Sequence, residues 1–113
     1  MTKRRVIFYE HYFLEFYNQQ PDAVRRKINQ VLVWIQTIDK LPVSIFKSIE
    51  QVAGLFEIRI ICAGNIYRIF CCLDNGNLVV LFNAFQKKTQ KAPQSEINKA
   101  KQIMKEYMNS KKS

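Results

Sequence analysis

Arg59 and Arg68 flank the dipeptide Ala63-Gly64 within a stretch rich in alternating apolar residues. A two-residue loop at Ala63-Gly64, or a four-residue loop from Cys62 to Asn65, sets the two arginines opposite each other on antiparallel strands. Asn75-Gly76, read as a second two-residue loop, sets Asn83 opposite Arg68. One row across the sheet then reads Arg59, Arg68, Asn83. Directly opposed like charges destabilise a sheet, with cross-strand pairs contributing about 0.2–1 kcal/mol. A phosphate held between them turns repulsion into attraction, because guanidinium forks match phosphate oxygens. A three-residue first loop instead moves Arg59 to the other face. Glu57 can also neutralise one arginine as an ordinary structural pair. Lys87, Lys88 and Lys91 follow the third strand, as charge clamps or as a solvated run.

The elements that must carry these side chains are legible from periodicity. Val6 to Tyr9 reads as a strand. Tyr9, Tyr12, Phe13, Phe16 and Tyr17 recur at helical spacing. Pro21 and Asp22 open a second helix whose stripe is Val24, Ile28, Val31, Leu32, Ile35 and Ile38, and Leu41-Pro42 ends it. Leu55 to Cys62, Ile66 to Leu73 and Leu78 to Phe85 form an antiparallel meander, with a further short strand over Lys47 to Glu50. Pro93 and Ser95 start a last helix with the stripe Ile97, Ala100, Ile103, Met104, Tyr107 and Met108. The rows Phe56/Cys71/Val80, Ile58/Ile69/Phe82 and Ile60/Tyr67/Ala84 make one apolar face. The expected architecture is α+β: a curved antiparallel sheet, two N-terminal helices packed on one face, and a C-terminal helix.

Composition narrows the function classes. At 113 residues, 48% hydrophobic and 24% charged, the chain suits one folded domain over residues 1–113. Eighteen Lys and Arg stand against nine Asp and Glu, a net charge of +9. Residues 83–113 hold eight of the basic and two of the acidic side chains. Such a balance points to a polyanionic partner. Three cysteines, two of them adjacent, read as small buried hydrophobes of a reduced, cytoplasmic protein. One histidine, His11, and no CxxC spacing leave too few ligands for zinc, so no metal or cofactor is expected. No secretory leader is evident, and no apolar run approaches the roughly 20 residues of a membrane helix.

Leu55-Phe56-Glu57-Ile58-Arg59, Tyr67-Arg68-Ile69-Phe70, Asn83-Ala84-Phe85-Gln86-Lys87-Lys88-Thr89, then Pro93, Glu96-Ile97 and Ala100 follow a familiar order and spacing. In these segments the chain resembles the RelE/ParE toxin superfamily and, within it, the phage-derived HigB-like toxins. The resemblance implies the toxin of a type II toxin–antitoxin system that cleaves messenger RNA on the translating ribosome. Its ParE-like branch implies DNA gyrase as the target instead, and a non-catalytic RNA- or ribosome-binding protein is a third reading. The implied partners are a cognate antitoxin, of helix-turn-helix type, the ribosome and its message.

By position, Arg59 matches a basic residue of the family's central strand and Arg68 its arginine on the next. Lys87 and Lys88 fall where the family is basic, and Tyr107 where some members place a functional aromatic or histidine. Glu57 departs from the pattern, being basic in some nucleases of the family, and Ala92 replaces a frequent threonine. Cleavage of this type needs a base for the 2′-hydroxyl, cations for the phosphoryl charge and an acid for the leaving oxygen. Arg68 and Arg59 are the expected phosphate clamp, Lys87 or Lys88 the acid, and Glu57 a base if it reaches the 2′-hydroxyl. Lys91, Asn83 and Tyr107 are the expected RNA contacts.

Overall fold

The computed structural model describes residues 2–88 and 93–111. Strand β1 (Arg5–Phe8) leads into helices α1 (Tyr12–Asn18) and α2 (Asp22–Thr37). Strands β2 (Phe46–Ser48), β3 (Leu55–Cys62), β4 (Asn65–Asp74) and β5 (Leu78–Lys87) follow, and α3 (Gln94–Ser110) closes the chain. The sheet has five strands in the order β1-β5-β4-β3-β2. β3, β4 and β5 make the expected antiparallel meander, and the short β2 adds to it antiparallel to β3. The fifth, β1, runs parallel to β5 on its outer edge. The sheet is therefore mixed, not purely antiparallel. Apolar alternation does not encode pairing direction, so the sequence of β1 could not announce it.

Turn chemistry sets the registers. Ala63 and Gly64 form the two-residue loop between β3 and β4, with φ of 51° and 80°. Positive φ at both central residues gives the twist that a tight hairpin needs. The next hairpin differs from expectation. Asp74 pairs with Leu78, so its loop holds Asn75, Gly76 and Asn77. The register slips once more between Ile69 and Cys71, where β5 carries an extra residue.

The apolar rows shift accordingly. Cys71 faces Leu81, Ile69 faces Ala84 and Tyr67 faces Gln86, in place of Val80, Phe82 and Ala84. The helices also divide between two core clusters. Phe13 of α1 and Val24, Ile28, Val31 and Ile35 of α2 pack with Ile58, Ile60, Ile69, Cys71 and Leu81. Ile97, Ala100, Ile103 and Tyr107 of α3 pack with Leu55, Phe70, Cys72, Val80 and Phe82. The sheet is thus covered on both faces. That explains why Ile69–Cys72 and Val79–Phe82 are buried without a break. The adjacent Cys71 and Cys72, both free, enter opposite clusters.

One arginine just before β1 ties the N-terminal segment to the end of α2. The Arg4 guanidinium donates to the carbonyls of Ile35 (3.0 Å), Ile38 (2.8 Å) and Asp39 (2.8 Å). It satisfies carbonyls that the end of α2 leaves open, and its charge suits the helix C-terminus. Arg4→Ala is therefore expected to lower unfolding free energy by about 1–2 kcal/mol, read from urea denaturation.

Candidate functional site

The β3–β4 register sets Arg59 directly opposite Arg68. Both side chains project from the sheet face that α3 covers further along, because Leu55 and Cys72 lie on the same parity and pack against α3. On this face Lys47 is opposite Glu57, Glu57 opposite Phe70, Arg68 opposite Phe85, and Ile66 opposite Lys87. Five ionisable residues from four strands, Lys47, Glu57, Arg59, Arg68 and Lys87, therefore share one region. Only Glu57 is acidic. Lys47 was not singled out from sequence, although the short strand that carries it was expected.

Glu57 is buried at 5% exposure and pairs with the Arg68 guanidinium through Nη1. Arg59 makes no side-chain hydrogen bond or ion pair among the described residues. Its Nε and that of Arg68 are buried without acceptors. Such buried donors are rare in folded proteins, where strain, a ligand or ordered water accounts for them, and the buried Asn83 Oδ1 is in the same position. Lys87 feels the same environment. Burial, and then the charges of Arg68 and Arg59, lower its pKa from the ordinary lysine value. The arrangement offers one positioned guanidinium, one unpartnered guanidinium and one weakened ammonium to an anion.

Among the described residues no cluster of His, Cys, Asp and Glu is suited to a metal ion. Within them, no helix is long and apolar enough to cross a membrane. A protein-family model, Phage derived protein Gp49-like (DUF891), matches residues 15–105, a span that includes the whole basic face. The chain belongs to the Gp49-like family. This phage-derived family is toxin-like and related to RelE. No curated protein matches the chain.

The other expected residues of this Gp49-like chain lie elsewhere. Asn83 does not face Arg68, because the longer loop and the slip in β5 displace it. It is 2% exposed, and its Nδ2 donates to the carbonyl oxygen and Oε1 of Glu96, both at 3.1 Å. It fastens β5 to the first turn of α3. Tyr107 is also buried, and its hydroxyl donates to Asp74 Oδ2 at 2.6 Å. Asp74 lies six positions along β4 from Arg68, about 20 Å along a strand. Lys111 donates to both Asp74 oxygens at 2.6 Å. These bonds hold the Asp74 carboxyl below its usual range, while burial and Asp74 push Tyr107 up to about 12. Lys88 is exposed just beyond β5, and Lys91 falls outside the described residues. Asp74 read from sequence only as a turn residue.

Two outcomes follow for stability. The lowered Lys87 pKa means the unfolded chain holds that proton to higher pH than the folded one. Charge on Lys87 thus opposes folding below its folded pKa, and the opposition fades as pH climbs towards the ordinary lysine value of about 10.4. Lys87→Gln should raise the melting temperature at pH 7, with the gain vanishing in strong alkali. Arg59→Leu should add about 0.2–1 kcal/mol by removing the like-charge pair. Tyr107→Phe should lower the melting temperature at neutral pH. That loss shrinks as pH falls through the depressed Asp74 pKa, because the carboxylate that accepts the bond is protonated there.

Proposed function

We propose that this Gp49-like protein is the toxin of a type II toxin–antitoxin pair, of the HigB-like kind, and cleaves messenger RNA on the translating ribosome. The observation that carries the reading is the opposed Arg59 and Arg68, with unmet Nε donors and Lys87 alongside. A sheet tolerates this only against a cost, and a phosphodiester is an anion whose oxygens fit two guanidinium groups.

In the proposed reaction the 2′ oxygen attacks the neighbouring phosphorus. A 2′-oxygen–phosphorus bond forms and the phosphorus–5′-oxygen bond breaks, leaving a cyclic phosphate and a 5′-hydroxyl. Arg59 and Arg68 hold the non-bridging oxygens as their charge grows. Lys87 gives its proton to the leaving 5′ oxygen, a task its lowered pKa favours. Glu57, buried against Arg68, orients that guanidinium instead of meeting the ribose. The 2′ proton passes to water. Orientation of the message by the ribosome supplies the remaining alignment. The partners proposed are the ribosome, its message and a helix-turn-helix antitoxin. The compartment is the cytoplasm, and no cofactor enters the chemistry.

Primer extension on a message translated in a cell-free bacterial system tests this. New 5′ ends are expected only where wild-type protein meets translating ribosomes. Arg68→Ala should reduce them by roughly 10²–10³-fold while circular dichroism stays unchanged. Uncut message with folded protein, or normal cutting by folded Arg68→Ala, would overturn the reading.

A further inference from the structure

β2 pairs only with residues 56–58 of β3, so the outer edge of β3 beyond Ile58 lies free of it. Here the segment before β2 crosses over, and the Arg59 amide donates to the Ile45 carbonyl at 2.8 Å. A cleft of about 160 Å³ opens between this edge and α2. Val31, Trp34, Ile45 and Ile61 give it apolar walls, while Lys27, Ser44 and Arg59 make it polar. Trp34, the single tryptophan, is half-buried, and the Lys27 ammonium lies 5.0 Å from its ring centroid. Ile61 is 53% exposed at the rim of this cleft.

Arg59 belongs to both places. It lines the cleft, and it also stands opposite Arg68 on the basic face. A ligand that engages Arg59 through a phosphate can therefore set a flat, largely apolar group against Trp34. We infer that the cleft is a nucleobase subsite, taking an unpaired base next to the phosphate held at Arg59. This rests on the RNA reading above and adds a contact on α2 that the basic face alone does not supply. Every base has a π-face, so stacking there contributes affinity with little sequence preference, and the polar rim supplies whatever preference exists. The Lys27 charge fits the same ligand, since a cation over an aromatic ring also meets phosphate and base oxygens.

The single tryptophan makes the test direct. The probe is a short RNA, 2′-O-methylated so that it is not cut, beside an abasic strand with the same phosphates. Fluorescence anisotropy of an end label reports binding, and Trp34 emission reports the cleft. The RNA should quench Trp34 saturably over the concentrations that raise anisotropy. The abasic strand should leave the emission unchanged. Trp34→Leu should weaken RNA binding roughly ten-fold without changing its salt slope, since no phosphate contact is removed. Ile61→Ala, at an exposed position, should weaken it several-fold and covers the case in which Trp34→Leu fails to fold. Salt-sensitive binding with unchanged Trp34 emission and a wild-type affinity for Ile61→Ala would overturn the subsite while leaving the RNA reading intact. Absence of salt-sensitive binding would overturn both.

Discussion

Arg59 faces Arg68 at the centre of the sheet, and the surrounding structure is arranged to sustain that pair. Two guanidinium groups on opposed strands repel each other. The tight Ala63-Gly64 loop gives them no freedom to slide apart, because a one-residue slip would turn every side chain of β3 to the other face. Ile58, Ile60, Ile69 and Cys71 are fully buried on that other face, so a slip would expose the core. Packing energy on one side of the sheet thus holds electrostatic strain on the other. Glu57 relieves part of it through Arg68 and leaves the Arg59 side chain without a partner among the described residues.

The division of labour between the two faces follows. Phe13 of α1 and the buried stripe of α2 pack with residues of the opposite parity, and α3 packs on the basic face, up to Phe85 directly opposite Arg68. Asn83 fixes the start of α3 to β5, and the Asp74–Tyr107–Lys111 group fixes its end to the β4–β5 hairpin. Both polar links serve to keep the helix in place. Their residue types drew attention as RNA contacts, yet their burial and partners give them a structural task. Arg59, Arg68 and Lys87 take no part in either link.

A mixed sheet closed by its first strand also matters for the site. β1 takes the outer edge of β5, and Arg4 caps α2 from the same segment. β2 is short and ends before Arg59. β1 is therefore one edge of the sheet, and at the other β2 leaves the outer edge of β3 beyond Ile58 free of it, beside Arg59.

The strands of the meander, the three helices and the opposition of Arg59 to Arg68 were legible in the sequence. Periodicity and turn residues are local signals, and Ala63-Gly64 is a local turn. The position of Asn83 was not legible, because a three-residue loop and a slip in β5 depend on how two strands settle against opposing helices. The same holds for α3. The unbroken apolar runs of β4 and β5 carried the signal of a doubly covered sheet, but alternation alone does not say which helix covers which face. The direction of β1, the partner of Tyr107 and the approach of the Ser44–Ile45 segment to Arg59 join residues distant along the chain. Local pattern reaches over a few residues, whereas those contacts exist only once the whole chain has closed on itself.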